Sequence, residues 1–376
     1  MSEYQYYEFR TIDQPLTDRQ MRELRAISTR ATISRTSFSN DYTYGDLKAN
    51  PRDLLAQYFD ASLYFANWLF AELAFRYPRS AVDVKSLRRY SAGQSLGVRF
   101  QGANVIIAMS VERDDFDTGD DGQGWLSSLI LLRTDIARGD ERVLYLAWLL
   151  GVQQGEINDG AIEPARPDGL EARSPALESF VDVMGLDRAL VAAAAEGASK
   201  APAVPPAREV ERWIAALNAK EQVALLSRVA RGETGVDAEL MRRFGRQRPR
   251  LKATPKLRTA GALRARAEEI TEERRTVILA REAKERMRRE REQAAARDRH
   301  LKILAKQQAD AWRRIETLVV TKRPGDYDAA ISLLKDLREI GQRTGRAEEV
   351  AERIRALREA HAKKPSFLAR MRKAGL

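Results

Sequence analysis

The residue types that usually carry chemistry are scarce in this chain, and their spacing rules out more than it offers. There is no cysteine, and the two histidines, His300 and His361, stand about 60 residues apart. Thiol nucleophiles, thiolate metal sites, structural disulfides and iron–sulfur clusters are therefore excluded. A zinc site needs three or four convergent ligands, so two histidines at this separation read as surface residues of helices. No histidine precedes His300, and Ser-His or Cys-His nucleophilic pairs cannot be built upstream of it. The glycines match neither GxGxxG nor GxxxxGKS/T, which leaves no nucleotide cradle and no cofactor motif.

Two charged segments remain. The acidic run at 112–124, ERDDFDTGDDGQG, offers oxygen ligands to a hard cation but misses the EF-hand template. Counting from Asp115 puts Gly119 fifth, and counting from Asp117 puts Ser128 twelfth, where a bidentate glutamate is needed. The run reads as a solvated loop. The basic run from Arg242 to Arg266 holds ten Lys and Arg and no Asp or Glu. Within it Arg246, Arg248, Arg250, Lys252, Lys256 and Arg258 are candidate phosphate contacts, in a stretch that Pro249 and Pro255 keep from being one helix. Such contacts bind nucleic acid with little sequence preference and weaken steeply with salt. Phe244 is the nearest ring, so stacking of single-stranded bases finds no support. An enzyme working with carboxylates or a metal needs only a few Asp or Glu gathered by the fold, but no pair here has diagnostic spacing.

Charge is distributed as unevenly as chemistry. Residues 1–175 hold 20 Lys and Arg against 25 Asp and Glu, and residues 176–245 hold 9 against 10. Residues 246–376 hold 36 against 19, so the net +11 of the chain lives wholly in its last third. That third can attract nucleic acid, anionic lipid or an acidic protein surface. The opening MSEYQYYEFRTIDQPLT lacks the basic start and apolar run of a signal peptide. The longest apolar stretches, Trp125 to Leu132 and Val143 to Val152, fall short of the roughly 20 residues that span a bilayer. A cytoplasmic protein without a membrane span is expected.

The elements that would position these residues divide at about residue 160. An α+β head domain with a small sheet is expected over 1–160. Its parts are a strand at YQYYEFRTI, a helix over 18–28 capped by Thr17, and a second helix from Pro51 carrying Leu54, Leu55, Tyr58, Phe59, Leu63 and Phe65. A strand at Leu73–Tyr77, a hairpin turning at Gln101–Asn104 and helices over 125–138 and 141–154 complete it. Residues 161–207 read as a linker with short helices, 208–245 as a small helical section and 246–258 as a basic linker.

An all-α C-terminal region follows. Residues 259–322 contain no proline and only one glycine, Gly261, and the spacing predicts a single charged helix about 90 Å long. Opposed charges four apart, such as Glu282 with Arg286 and Glu285 with Arg289, would let it stand in water. Leu263, Ile270 and Val277, and then Leu304, Ala311 and Leu318, keep a seven-residue spacing, a short coiled-coil signal. Residues 326–376 read as a helical hairpin whose basic tail packs back through Phe367, Leu368 and Met371.

EYQYYEF at 3–9, ID-x-PL at 12–16, LRAISTRA at 24–31, YFDASLYFANW at 58–68 and YLAWLL at 145–150 resemble a family of uncharacterised bacterial proteins. HLKILAKQQADAWRRIE at 300–316 and the ending HAKKPSFLARMRKAGL extend the resemblance over nearly the whole chain. It implies no known activity and transfers no catalytic residue. After Asn67-Trp68 the chain departs from that pattern, with Leu69-Phe70-Ala71-Glu72 where a glycine and basic residues belong. The expected function is a non-enzymatic adaptor with a protein partner, the head docking one partner and the long helix with its terminal hairpin holding another. The alternatives are a nucleic-acid accessory protein using 242–266 and a carboxylate- or metal-dependent enzyme in the head.

Overall fold

A computed structural model of the chain describes residues 4–68, 70–113, 121–198, 207–233, 235–247 and 258–376. The chain forms two compact units, Met1–Arg274 and Arg275–Leu376. The first opens with β1 (Gln5–Arg10), α1 (Asp18–Ile27), β2 (Thr32–Ile33), β3 (Ser37–Tyr42), α2 (Pro51–Tyr58), β4 (Ala61–Ala66) and β5 (Phe70–Pro78). It continues through α3 (Val84–Tyr90), β6 (Leu96–Gln101), β7 (Asn104–Glu112), α4 (Trp125–Leu129), α5 (Leu131–Arg138) and α6 (Arg142–Gln153). Then come α7 (Pro175–Val183), α8 (Arg188–Ala195), α9 (Ala207–Ala216), α10 (Ala219–Ala230) and α11 (Val236–Gln247). The helix α12 (Ala260–Lys306) passes from the first unit into the second, which adds α13 (Gln308–Val320), α14 (Pro324–Arg343), α15 (Ala347–Ala360) and α16 (Pro365–Lys373).

Among the described residues the strands form one antiparallel sheet of seven, ordered β2-β3-β1-β4-β5-β7-β6, wider than the small sheet expected. Both faces are covered, because alternate residues of each strand feed different cores. Tyr7, Phe9, Phe38, Ala74 and Ile106 meet Leu24 of α1 and Leu54 and Leu55 of α2. Leu63, Leu73, Phe75, Ile107 and Met109 meet helices α3 to α8 on the other side. Every residue of α6 from Val143 to Val152 is buried, as expected of a helix apolar all round. The Thr17 cap holds as a capping box with Gln20.

Two boundaries and one spacing differ from the sequence reading. The second helix stops at Tyr58, and Leu63 and Phe65 belong to β4, where they alternate toward the core opposite Glu8 and Tyr6 of β1. A period of two overrides a stripe that also fits 3.6 over so short a run. The stretch 161–207 carries short helices, as read, and they join the head: Leu177, Phe180, Val181 and Leu190 of α7 and α8 line the main core, and Pro175 is the first residue of α7 after its Ser174 cap. The long helix ends at Lys306, not 322; Gln307 leaves helical geometry at φ −116° and ψ 30°, and α13 then buries Ala311, Trp312, Ile315 and Val319. Tertiary packing of that stripe overrides an unbroken run of helix formers. Leu263 and Ile270 lie in the first unit's core while Val277 is exposed, so the seven-residue spacing makes no coiled-coil seam.

Gly122 is one place where backbone conformation dictates residue type. Its φ is +76°, and a Cβ there would lie 2.8 Å from Cβ of the buried Phe65. Gly122→Ala is expected to destabilise the first unit by about 2 kcal/mol or more, combining left-handed strain with overpacking. The denaturant midpoint of the full-length protein would fall; an unchanged midpoint would mean that the turn refolds around the methyl group.

In the second unit α14 is central. Tyr327, Ala330, Leu334 and Leu337 meet Trp312 and Ile315 of α13, Ile354 and Leu357 of α15, and Phe367 and Met371 of α16. The expected helical hairpin and returning tail are thus α14, α15 and α16.

Candidate functional site

Of the six candidate phosphate contacts, the structure describes the side chain of Arg258. Arg248, Arg250, Lys252 and Lys256 lie outside the described residues, and Arg246 is placed in α11 by its backbone. Arg258 faces inward. Its Nε and Nη2 donate to Glu163 at 2.8 Å, and its Nη1 and Nη2 donate to the carbonyls of Ala193 at 2.7 Å and Ala194 at 3.0 Å. Glu163 also accepts from the Tyr145 hydroxyl, and burial followed by the Glu163 charge pushes that phenol well above its ordinary pKa. The backbones of 161–163 and 258–260 pair across an Ile162–Thr259 bridge. Arg258 is therefore a tether at the entrance of α12, its guanidinium taken up by Glu163 and two carbonyls. An acid-free neighbourhood in sequence gave no sign of Glu163, which is 95 residues away.

The head's buried carboxylates are likewise engaged by donors. Asp60 Oδ2 accepts from the backbone N–H of Ile12 at 2.6 Å and Asp13 at 2.9 Å, and Oδ1 accepts from Arg76 at 2.6 Å. Arg133 forks onto Asp13 at 2.9 and 2.6 Å and lies 3.7 Å from Asp60. Glu8 takes Arg10 at 2.7 Å and the Tyr6 hydroxyl at 3.2 Å. Carboxylates held this way pin loops and strands; none of these is placed as a free base.

Among the described residues no group of three or more His, Asp or Glu is arranged to hold a metal ion. Residues 114–120 of the acidic run lie outside the described residues. His300 bonds Asp336 at 2.9 Å, and His361 stands edge-on to Phe367, its pKa lowered by burial and then by Lys364. A pocket of about 30 Å³ beside Trp312, Gly341 and Val350 has room for a water or two, far below the size of a substrate site. No described helix is long and apolar enough to cross a membrane.

Surfaces hold what the interior lacks. On α10, Val223, Leu226 and Val229 share one face at 62%, 68% and 55% exposure, while Leu225 alone of that helix is buried. An i, i+3, i+6 spacing marks an amphipathic face, but spacing alone does not distinguish a stripe facing a core from one facing solvent. On α12, residues 271–296 are exposed except for Ala283, which is half-buried. Comparisons with protein-family models, with curated proteins and with solved structures find no match for this chain.

Proposed function

We propose that this protein is a non-enzymatic adaptor of the cytoplasm, in which the sheet-bearing unit docks a protein and the helical unit holds a second ligand. The observation that carries the reading is α12. Its first turns bury Leu263, Ala267 and Ile270 in one core, its last turns bury Leu301 in the other unit, and the residues between face water. A catalytic site needs side chains that converge, whereas a charged helix exposed over seven turns presents them outward. The α10 face supports the docking role of the first unit, since adjoining exposed valine and leucine side chains are a usual mark of a protein contact. The absence of cysteine suits a reducing compartment.

The full-length protein would be used to capture partners after nuclease treatment, alongside a Val223→Glu/Leu226→Glu variant. The expected result is a protein partner that binds the wild type and is lost from the variant, with circular dichroism unchanged. A partner set identical for both proteins would sink the docking role of α10.

A further inference from the structure

On α12, Arg281, Lys284, Arg288 and Arg291 are followed by Arg299, Lys302 and Lys306, at intervals of three or four with Ala295 filling the one gap. At 100° per residue these seven side chains fall within an arc of about 80° and run along about 38 Å of helix. All seven are exposed. From Val277 to Lys306 the same arc holds Val277 and Ala295 besides the ladder and no acidic residue. The roughly opposite side of the helix is its packing side: Leu301 is buried, and Arg297 and His300 bond Asp336 of α14 at 2.6 and 2.9 Å. The second unit as a whole carries 27 Lys and Arg against 15 Asp and Glu, a net +12.

A solvated helix stabilised by its own charge pairs explains this ladder poorly. Glu282–Arg286 and Glu285–Arg289, the pairs in the favourable order, do not form; Glu285 instead takes Arg281 at 3.3 Å and Glu292 takes Arg288 at 3.5 Å, both with the base on the N-terminal side. Exposed pairs of this kind contribute little and open readily to a competing anion. Among the described residues, Lys284, Arg291 and Lys306 have no carboxylate within ion-pair reach.

We propose that this ladder binds the phosphate backbone of a nucleic-acid duplex. A row of about seven cations along 38 Å complements a polyanion of regular charge, and a duplex carries one charge per roughly 1.7 Å of axis. The helix α12 has no aromatic residue, which removes base stacking and with it a preference for single strands. It also lacks the continuous apolar face beside the charges that an interfacial membrane helix inserts: one flank offers Ala280, Ala283, Met287 and Ala294, and on the other the exposed Ile278 and Ile303 are separated by Glu285, Arg289 and Glu292. Seven like charges on one face likewise oppose pairing of that face with a second copy of itself. This names the second ligand of the adaptor and rests on that reading only in taking the helical unit as a binding surface.

The test is a mobility shift of full-length protein with a mixed-sequence DNA duplex of about 30 base pairs across a potassium chloride series, with a slope near −0.9 per phosphate contacted. The wild type is expected to give a slope of about −4 to −6 in log affinity against log salt. Lys284→Gln/Arg288→Gln/Arg291→Gln should flatten it by about 2 to 3 and cost about tenfold or more in affinity. An equal charge loss off the ladder, Arg286→Gln/Arg289→Gln/Arg355→Gln, should retain wild-type affinity within about threefold, with the helical signal of both variants unchanged. No complex at the lowest salt, equal losses in both triples, or tighter ladder-dependent binding of poly-glutamate or phosphatidylserine vesicles than of duplex would each overturn the proposal. Val223→Glu/Leu226→Glu separates the readings: if it loses its protein partner while the wild type ignores the duplex, the duplex proposal fails and the adaptor stands.

Discussion

Asp60→Ala is expected to lower the stability of the sheet-bearing unit by about 3–5 kcal/mol, the usual cost of removing one partner from a buried ion pair. Asp60 follows α2 and opens β4, and it is 1% exposed. One carboxylate oxygen collects the N–H groups of Ile12 and Asp13 while the other takes Arg76, with Arg133 close by. Arg133 is itself nearly buried, stacks 5.2 Å from the Tyr77 ring centre, and donates from Nε to the Arg76 carbonyl at 3.1 Å. Removing the carboxylate leaves two guanidinium groups competing for Asp13 and strands two backbone donors. Asp60→Asn, which keeps the volume and one acceptor, should cost less than Asp60→Ala. Equal midpoints for wild type and Asp60→Ala in urea unfolding would refute the account.

The same residue sets a pH dependence. Burial alone would raise the Asp60 pKa, but the Ile12 and Asp13 N–H groups and the Arg133 and Arg76 charges outweigh it and hold the carboxyl below its ordinary range. A lowered folded-state pKa means that the unfolded chain takes up the proton first as pH falls. The Asp60 contribution is therefore complete above the ordinary aspartate pKa of about 3.9 and is lost as pH falls from there through the lower folded value. Asp60→Ala should be nearly insensitive to this contribution, so its stability and that of the wild type should converge in acid.

Phe367→Ala carries the second large effect, about 3–5 kcal/mol on the helical unit, as for other buried aromatic truncations. The ring is 0% exposed and packs 5.4 Å from Tyr327 and edge-on to His361. It anchors α16, whose other attachments include Met371 and Leu368, the Lys364 ammonium on the Val319 carbonyl at 2.7 Å, and Arg370 on Asp328 at 2.8 Å. These exposed or half-exposed polar contacts contribute less than the ring. Proteolysis after the basic residues of 363–373 should accelerate in the variant, and hydrogen exchange should quicken in α14. The His361 pKa, lowered by burial and then by Lys364, should rise toward its ordinary value as the ring leaves. Retained exchange protection would show that α16 docks without Phe367.

Much of the architecture was legible locally. Thr17 with Gln20, Asn50 before Pro51, and the Gly102 turn between β6 and β7 are signals that act within four residues, and each stands where its chemistry requires. The exclusion of thiol chemistry followed from composition alone. The ladder on α12 was also written in the sequence, since its spacing needs nothing but the period of an α-helix; it is hidden in the one-dimensional string because Glu282, Glu285, Glu290 and Glu292 interleave with it.

What only the tertiary structure decided concerns pairs far apart in the chain. Leu63 and Phe65 fit a helix until β1 offers them a strand partner, and Leu177 and Leu190 belong to short helices whose place in the main core only the packing around α6 decides. Arg258 reads as a free cation until Glu163 meets it, while on one helix Leu225 is buried and Leu226 faces solvent. Local sequence fixes dihedral preferences and the period of a stripe, because those energies arise within a turn or two of the chain. Whether a stripe or a charge faces protein or water depends on desolvation by residues up to hundreds of positions away, and that free energy exists only once the chain has folded.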